Sequence, residues 1–429
     1  MKASPLLAMY RWASAGFGLI GPLVVYWRAK LGHEDFARRR ERLGWPGLPR
    51  PKGGLALVHA ASAVEAQSLT PLLEKLGTLG FGTLISTGRG VPSRLRDSRS
   101  PPTTLHQFAP LDTPQFMSRF LDHWQPDIIL IAEAALLPNM IVEASRRGIP
   151  LVLVDARLSE GSFAFLRKFS AFVGPLMRRF DVCLTQTETD ATWFAKLGAQ
   201  KVQVVGRLKY DLVPLPADQP SLARLMARIG TRPVWVADGV YPGEEEIALV
   251  AHRRLVRQFP DLLSVIVPHS PKRGFEITQA AAKMGLAVGL GDRDSGSLPE
   301  IFIAPTSGEA GLFYRIAGVI FAGKSLAFGG GRNPVEAAKL GCAVLHGPDV
   351  EDFEEIYAAL DRVGGGAMIS DADSLAAQLA LLLSDNTKLR AMARAAAQTA
   401  ETFGGASGRI LRAIEYVTTE TPTTHRAIS

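Results

Sequence analysis

A run of three glycines with Gly330 at its centre is followed directly by Arg332 and Asn333, and Glu336 comes three residues later. An apolar stretch precedes the run and a helix-like stretch follows it, which predicts a loop between a strand and a helix. Such a loop lets backbone amides approach an anion at the positive end of the helix, and Asn333 is suited to cap its start. The carboxylate of Glu336 can accept hydrogen bonds from the two hydroxyls of a ribose. The run therefore predicts a grip on the sugar and phosphate of a nucleotide, with an ordinary strand-to-helix turn as the alternative.

Ser62 and Glu65 follow the first apolar run of the chain at the spacing of a helix capping box. In that motif both side chains hydrogen-bond to the backbone at the start of the helix. The same placement suits chemistry, because a carboxylate held in the first turn of a helix is rigid and can accept a proton from a hydroxyl nucleophile. A structural cap and a general base are both consistent with Glu65.

Two further polar segments follow predicted strands in the second half of the chain, and they contain His269 and Arg273, and Ser307, Gly308 and Glu309. Ligands of parallel α/β sheets bind at the carboxyl ends of the strands, so three such loops in one domain strengthen the prediction of a nucleotide site. The sequence has no P-loop, no Gly-x-Gly-x-x-Gly pattern and no cysteine–histidine cluster.

Short apolar runs alternate with helix-like stretches along most of the chain, which is the pattern of parallel sheets covered on both faces by helices. The rhythm restarts after a proline-rich stretch at 212–220. We therefore predict an α/β fold of two doubly wound, Rossmann-like domains with an interdomain cleft. The predicted divisions are an N-terminal membrane-associated segment (1–50), an N-terminal acceptor-binding domain (51–211) and a C-terminal nucleotide-sugar-binding domain (221–416). The predicted strands include Leu55–Val58, Gly82–Ser86, Ile128–Ile131, Leu151–Val154, Val182–Thr185, Val202–Val205, Val234–Ala237, Leu263–Val267, Ile301–Ile303, Val319–Phe321 and Ala343–Leu345.

The composition is that of a folded protein, because 47% of the 429 residues are hydrophobic and 21% are charged. Its two cysteines, Cys183 and Cys342, lie in apolar runs without metal-ligand spacing, which predicts buried reduced thiols, no metal site and a cytoplasmic setting. The formal net charge is +7, but the excess is concentrated near the N-terminus. An uneven excess of this kind does not favour nucleic acid as a partner.

The apolar segment Ala13–Trp27 is followed by a basic cluster that contains Arg28, Lys30, Arg38, Arg39, Arg40 and Arg42. The segment is shorter than the ~20 apolar residues that a membrane span needs, and Pro22 interrupts it. Aromatic residues near its ends and the basic flank are typical of a helix at a membrane interface, with the body of the protein in the cytoplasm. The alternative is a buried N-terminal helix with a solvated, charged face.

Five segments lie in an order that matches a known family over nearly the whole chain: His59–Glu65, Glu133–Asn139, Asp155–Ser159, Gly206–Asp211 and Asn333–Glu336. They are similar to the family's His-Ala-Ala-Ser-Val-Gly-Glu, Glu-Thr-Glu-Leu-Trp-Pro-Asn, Asn-Ala-Arg-Leu-Ser, Gly-Asn-Leu-Lys-Phe-Asp and Asn-Pro-Leu-Glu segments. The chain thus resembles the 3-deoxy-D-manno-octulosonic acid (Kdo) transferases of lipopolysaccharide synthesis, which have the GT-B glycosyltransferase fold.

The resemblance implies an inverting transfer of Kdo, or a related ulosonic acid, from CMP-Kdo to a lipid A precursor at the cytoplasmic face of the bacterial inner membrane. It implies no metal or other cofactor, with Glu65 as the catalytic base and with Ser62 and Lys209 near the acceptor or the donor sugar. Gly308, Glu309, Asn333 and Glu336 fall on the family's CMP-binding positions. The residues that we predict to bind CMP are His269, Arg273, Ser307, Gly308, Glu309, Gly330, Arg332, Asn333 and Glu336.

The chain departs from the family at several of these positions. Val64 stands where the family has glycine, His269 where it has arginine, and Arg332 where it has histidine. Histidine is only partly cationic near neutral pH and clamps phosphate less well than arginine, so Arg332 and Arg273 are the candidate replacements. Two alternatives remain open: a sugar-nucleotide epimerase of similar fold, and a catalytically degenerate relative that binds a nucleotide sugar or a lipid.

Overall fold

The computed structural model describes residues 4–62, 65–66, 69–88, 104–133, 136–211, 217–290, 298–304 and 310–420. Contacts divide the chain into two compact units. Unit 1 comprises Met1–Asp211 and Gly404–Ser429, and unit 2 comprises Leu212–Phe403. Each unit contains a seven-stranded sheet whose paired strands are all parallel, which confirms the predicted α/β class of two doubly wound, Rossmann-like domains.

The sheet of unit 1 has the strand order β3-β2-β1-β4-β5-β6-β7. Its strands are β1 (Gly54–Ala60), β2 (Phe81–Thr87), β3 (Thr104–Phe108), β4 (Ile128–Ala132), β5 (Leu151–Ala156), β6 (Val182–Thr185) and β7 (Val202–Val204). Strands β1, β4 and β5 are almost completely buried, because helices cover both faces of the sheet. The direction of winding reverses between β1 and β4, so their carboxyl ends form the crevice in which ligands of such sheets bind.

The helices that precede the second unit are α1 (Pro5–Lys30), α2 (Thr70–Thr78), α3 (Pro114–Trp124), α4 (Pro138–Arg146), α5 (Glu160–Lys168), α6 (Ser170–Met177) and α7 (Glu188–Lys196). One face of the sheet packs its apolar side chains against α3, where Phe120 and Trp124 are fully buried. The other face packs against α2 through residues such as Leu72 and Leu76. Short 3-10 helices occur in this unit at Arg39–Leu43 and Leu208–Tyr210.

The sheet of unit 2 has the order β10-β11-β9-β8-β12-β13-β14. Its strands are β8 (Val234–Val240), β9 (Leu263–Pro268), β10 (Val288–Leu290), β11 (Ile301–Ile303), β12 (Val319–Ala322), β13 (Ala343–His346) and β14 (Gly366–Met368). Its helices are α8 (Gln219–Ile229), α9 (Glu244–Leu255), α10 (Gly274–Lys283), α11 (Ala310–Ile316), α12 (Val335–Lys339), α13 (Glu354–Arg362), α14 (Ala372–Ser384) and α15 (Asn386–Phe403), with 3-10 helices at Pro271–Arg273 and Glu351–Phe353. Here the winding reverses between β8 and β12, which places a second crevice beside the glycine run.

The last helix, α16 (Ala406–Glu420), belongs to unit 1. This differs from the predicted C-terminal domain, which extended to residue 416. Ile410 and Ile414 are fully buried in the core formed by β1, β4 and α2. Arg409 Nε donates a hydrogen bond to the carbonyl oxygen of Val205 at 2.8 Å. The apolar spacing of α16 predicts a helix with one buried face, but that spacing does not say which of the two sheets the face covers.

Helix α1 packs on unit 1 along one side only. The Tyr10 hydroxyl donates to Asp112 Oδ2 at 2.8 Å, the Arg11 guanidinium lies 2.6 Å from Glu143 Oε1, and Val25 is 1% exposed. The opposite side is apolar and exposed, with Trp12 at 82% and Leu19 at 84% exposure. Because this second side is apolar rather than charged, α1 is not the buried helix with a solvated, charged face that was the alternative to an interfacial helix.

Cys183 and Cys342 are both buried and make no disulfide, as the sequence predicts. Burial raises the pKa of each thiol to about 12, so both stay protonated at neutral pH. Within the described ranges, no helix combines the length and the apolar character that crossing a membrane requires.

Candidate active site

Glu65 lies just beyond the carboxyl end of β1, at the start of a helical turn. Its Oε2 accepts a hydrogen bond from the Ala61 backbone N–H at 2.9 Å, and its Oε1 accepts one from the Ser62 hydroxyl at 3.1 Å. The Glu65 N–H donates in return to Ser62 Oγ at 3.2 Å. Ser62 therefore caps the turn as predicted, but the Glu65 carboxylate accepts from the Ala61 N–H, one residue before the Ser62 N–H that a regular capping box uses. These bonds fix the carboxylate in one orientation at the carboxyl ends of the strands.

Glu133, at the carboxyl end of β4, provides a second carboxylate in the same region. Its backbone has φ = +52°, and its Oε2 lies 3.4 Å from Arg157 Nε. Burial raises the pKa of Glu133, and the nearby charge of Glu65 raises it further, whereas Arg157 and Lys209 lower it. Two carboxylates and two cations therefore interact at this edge of the unit 1 sheet.

Asp155 lies at the end of β5, beside the same group, and is 4% exposed. Its Oδ1 accepts a hydrogen bond from the Leu208 N–H at 3.2 Å, which connects β5 to the segment that contains Lys209. Burial raises the pKa of Asp155 to about 7; the Leu208 hydrogen bond opposes this rise, and the charge of Glu133 adds to it. Asp155 therefore titrates near neutral pH.

In unit 2 the glycine run forms a tight turn between β12 and α12, as predicted. Gly329, Gly330 and Gly331 all have positive φ, with +96° at Gly330. Residues with a Cβ atom rarely adopt the φ of Gly330, so this position favours glycine, and a Cβ atom there would also displace the ends of the Asp352 and Lys324 side chains. The Gly331 N–H donates to the Lys324 carbonyl at 2.9 Å, which closes the turn.

The turn ends at Asn333, whose Oδ1 accepts a hydrogen bond from the Val335 N–H at 3.1 Å. Helix α12 starts at Val335 and has only five residues, so its dipole is small. Side chains and loop amides, rather than a long helix, must therefore supply most of the anion binding expected here. Glu336 lies in the first turn, close enough to Arg332 to raise the pKa of its guanidinium.

Arg332 forms an ion pair with Asp238, the fifth residue of β8. Asp238 is 1% exposed, and its Oδ2 also accepts a hydrogen bond from the Tyr314 hydroxyl at 2.5 Å. Burial alone would lower the pKa of Arg332, but Asp238 raises it above the usual arginine value. Neither Asp238 nor Tyr314 was predicted from the sequence; a carboxylate inside the apolar run of β8 was the one available signal.

Glu244, at the start of α9, holds the loop that leads to the glycine run. Its carboxylate accepts hydrogen bonds from the backbone N–H groups of Lys324, Ser325 and Leu326 at 2.8–2.9 Å. It also accepts one from the Tyr241 N–H at 2.9 Å. Because Glu244 is fully buried, these four donors replace its lost hydration and connect the loops that follow β8 and β12.

His269 and Arg273 lie in the loop after β9, and their surroundings differ from the predicted phosphate clamp. The His269 ring stacks on Tyr241 with centroids 4.1 Å apart, and Tyr241 also contacts the exposed ring of Phe328. Arg273 is paired with Glu245, at 3.0 Å from its Nε, and with Glu276. Both candidate replacements for the family's arginine are therefore paired with carboxylates, Arg273 with Glu245 and Arg332 with Asp238. Arg332 is the one that directly follows the glycine turn predicted to bind phosphate.

Three of the residues predicted to bind CMP lie outside the described residues: Ser307, Gly308 and Glu309. Val64 also lies outside them. Among the residues that the structure does describe, no three histidine, cysteine, aspartate or glutamate side chains are grouped so that they could hold a metal ion. Ser62, Glu65 and Lys209 lie in unit 1, and the described CMP residues lie in unit 2.

Two Rossmann-like units of this kind define the GT-B class of enzymes. The structure is similar to a UDP-GlcNAc 2-epimerase from Neisseria meningitidis, with a TM-score of 0.53 and 15% identity over 84% of this chain and 100% of that chain. Similarity at this level shows the fold alone, and sequence comparison identifies the family.

The model of the 3-deoxy-D-manno-octulosonic-acid transferase (kdotransferase) family matches residues 37–212. A 3-deoxy-D-manno-octulosonic acid transferase of Bordetella pertussis is 31% identical over 422 residues, which cover 92% of this chain and 96% of that protein. One from Haemophilus influenzae is 30% identical over 396 residues, 87% of this chain and 90% of that protein. The chain therefore belongs to the Kdo transferase family and is a glycosyltransferase.

Proposed function

We propose that this protein is an inverting glycosyltransferase that moves Kdo, or a related ulosonic acid, from CMP-Kdo to a lipid A precursor in lipopolysaccharide synthesis. The observation that carries this proposal is the placement of Glu65. Its carboxylate is fixed by Ala61 and Ser62 at the carboxyl edge of the unit 1 sheet, in a motif shared with the family. A fixed carboxylate at a ligand-binding edge is suited to act as a general base.

In the proposed reaction, Glu65 removes the proton from a sugar hydroxyl of the acceptor. The hydroxyl oxygen forms a bond to the anomeric carbon of Kdo while the bond from that carbon to the phosphate oxygen breaks. The electron pair of the broken bond leaves with CMP. One base and one displacement invert the anomeric configuration, so no second nucleophile is needed.

The donor nucleotide binds unit 2 in this proposal. Asn333 and Glu336 contact the ribose, and the Arg332 guanidinium faces the phosphate together with the loop of Gly330. Cationic and N–H groups fixed in advance stabilise the charge that develops on the leaving phosphate, so the proposed reaction uses no metal ion or other cofactor. His269 adds to this charge only when it is protonated.

The protein acts, in this proposal, at the cytoplasmic face of the bacterial inner membrane. The exposed side of α1 carries Trp12, Leu19 and Leu23, and the exposed rings of Phe165 and Phe169 lie on α5 and directly after it. Tyr10, on the packed side of α1, contacts Phe172 of α6 with ring centroids 5.5 Å apart, so α1 and α6 are neighbours. Basic side chains next to such a surface favour an anionic bilayer, where the lipid acceptor resides.

The test is an assay of full-length protein with CMP-Kdo and tetraacylated lipid A precursor, read by mass spectrometry. We expect a product heavier than the acceptor by whole Kdo residues. The substitution Glu65→Gln should lower the rate by about 100- to 10,000-fold, the usual range for loss of a general base. The control, Glu74→Gln, makes the same chemical change at an exposed position on α2 and should retain the wild-type rate.

Other outcomes of this assay contradict the proposal. Transfer by a folded Glu65→Gln variant at the wild-type rate would exclude Glu65 as the base. Conversion of a nucleotide sugar to its epimer without transfer would identify an epimerase. Tight CMP binding without turnover on any tested ulosonic acid donor would identify a catalytically degenerate relative.

A further inference from the structure

The buried carboxylate of Asp238 is the least expected group in the unit 2 sheet. It lies inside the apolar run of β8, where its backbone pairs with Val267 of β9 and with Ala322 of β12. Oδ2 receives the Tyr314 hydroxyl, whereas Oδ1 is shielded from solvent and has no hydrogen-bond partner in the part of the chain that the structure describes. Such a carboxylate is costly to bury unless a cation compensates it.

Arg332 supplies that cation, and its position is fixed at both ends. The guanidinium is ion-paired with Asp238, and the Arg332 carbonyl oxygen accepts a hydrogen bond from the Tyr357 hydroxyl at 2.6 Å. The stem of the side chain lies against Gly239, where a Cβ atom would be 2.6 Å from Arg332 Cδ. Gly239 therefore allows an approach that no other residue would permit.

The pair is not sealed inside the core. The Arg332 side chain retains 30% exposure, although that of Asp238 is 1% exposed. The pair lies near the carboxyl ends of β8 and β12, because Asp238 is paired with Ala322, the last residue of β12, and Arg332 directly follows the glycine turn. A buried ion pair adds little stability compared with apolar residues of similar volume, so stability alone does not account for this one. A guanidinium held on one side and open on the other is suited to receive an anion.

We propose that Asp238 is a positioning residue that holds the Arg332 guanidinium toward the phosphate of the bound nucleotide. Asp238 does not contact the nucleotide itself; it acts through Arg332, and Tyr314 holds its Oδ2. This inference rests on the proposed function, because it assumes that unit 2 binds CMP. It goes further by assigning the orientation of the phosphate contact to a carboxylate buried in β8.

The test compares the affinity of full-length protein for CMP and for cytidine by titration calorimetry, because the two ligands differ only in the phosphate. Asp238→Asn keeps the size of the side chain and removes its charge. We expect it to weaken CMP binding by about tenfold and cytidine binding by less than about twofold, which corresponds to losing one oriented charged contact. Arg332→Ala should give the same pattern, and the double variant should be no weaker than Arg332→Ala alone.

A role confined to stability predicts a different result. Asp238→Asn would then lower the melting temperature and leave the ratio of the two dissociation constants at the wild-type value, which would overturn the inference. Arg232→Met is the matched control. Arg232 donates to the Asp261 and Leu298 carbonyls at the amino ends of the strands of the same sheet. Its loss should therefore reduce stability without changing the ratio of the two dissociation constants.

Two further variants keep the inference testable if Asp238→Asn does not fold. Arg332→Lys retains the charge but not the planar fork, and it should weaken CMP binding by less than Arg332→Ala does. Tyr314→Phe removes only the hydroxyl that holds Asp238 Oδ2 and should shift the same ratio in the same direction. Unchanged ratios in both would overturn the inference. Wild-type protein that binds neither CMP nor CMP-Kdo would instead contradict the proposed function.

Discussion

Arg157 and Glu133 form an ion pair, with Arg157 Nε 3.4 Å from Glu133 Oε2. The pair lies at the carboxyl ends of the unit 1 strands, as Glu65 does. Glu133 follows β4 and Arg157 follows β5, so neighbouring parallel strands bring the two side chains together. The pair offsets the repulsion between Glu133 and Glu65, because Arg157 lowers the pKa of Glu133 whereas Glu65 raises it. Burial is the main cause that raises the pKa of Glu133, and Arg157 opposes that rise.

Arg157→Ala should therefore raise the pKa of Glu133. We expect kcat/KM for transfer to fall by about tenfold at neutral pH, a loss of roughly 1.4 kcal/mol, and the acid limb of its pH profile to move to higher pH. Rates measured from pH 5 to 9 check this. Arg253→Ala, at an exposed position on α9, should leave the profile unchanged. An unmoved acid limb in a folded Arg157→Ala variant would contradict the expectation.

Asp155→Asn should stabilise the protein at high pH. The pKa of folded Asp155 is about 7, against 3.8 for an ordinary aspartate, so the folded state keeps a proton that the unfolded chain releases between those values. Its contribution to the free energy of unfolding is therefore lost as the pH rises through this window, by up to about 4 kcal/mol. Asparagine can still accept the Leu208 hydrogen bond.

Urea unfolding at pH 5 and pH 8 measures the effect of Asp155→Asn. The gain in unfolding free energy over the wild type should be larger at pH 8 than at pH 5. Equal gains at both values would show that Asp155 does not carry the proton. The family's own motif has asparagine at this position, so activity provides a further check that the fold tolerates the change.

Gly330→Ala should disrupt the turn of unit 2 more than Gly329→Ala does. Both residues have positive φ, which costs a side-chain-bearing residue about 1–2 kcal/mol. The φ of Gly330, +96°, lies farther from the left-handed region that other residues can adopt than the φ of Gly329, +67°, and a Cβ at Gly330 would also displace the ends of the Asp352 and Lys324 side chains. We expect CMP affinity to fall by about tenfold or more in Gly330→Ala and by less than about threefold in Gly329→Ala. Similar losses in both would show that the larger φ of Gly330 is irrelevant.

The double substitution Leu19→Glu and Leu23→Glu should release the protein from membranes. Both side chains are exposed on the apolar side of α1, so the double substitution leaves the packed side intact. In flotation with phosphatidylglycerol-containing vesicles, we expect the wild type to float and the variant to stay behind, with equal melting temperatures. Met226→Glu, at an exposed position on α8 of unit 2, is the control. Equal flotation of variant and wild type would reject α1 as the contact.

The central strands could be predicted from the sequence because both of their faces are buried and each is a continuous apolar run. The strands that the sequence analysis missed are β3, β10 and β14, and each lies at the edge of its sheet. An edge strand packs against fewer neighbours, so it needs less apolar sequence: β3 reads Thr-Leu-His-Gln-Phe and β14 reads Gly-Ala-Met. Local composition carries little signal for such strands.

Some residues of the candidate site could likewise be predicted from the local sequence, and others could not. Glu65, Gly330 and Asn333 belong to local motifs whose geometry depends on adjacent residues, and the Ser62 cap and the glycine turn are present. Asp238 could not be assigned, because its role depends on Arg332 and Tyr314, which are distant in sequence and meet it only in the folded sheet. The ion pairs of Arg273 with Glu245 and Glu276 also need the folded loop.

The return of α16 to unit 1 has a consequence for how the chain is made. Unit 2 is inserted between Asp211 and Gly404, and both halves of unit 1 meet where the Asp211 carboxylate accepts the N–H groups of Gly405 and Ser407. During synthesis, the face of the first sheet that α16 covers stays uncovered until α16 has left the ribosome. A nascent chain of this protein thus offers chaperones an apolar surface through the whole translation of unit 2, and a premature stop before residue 404 leaves that surface uncovered.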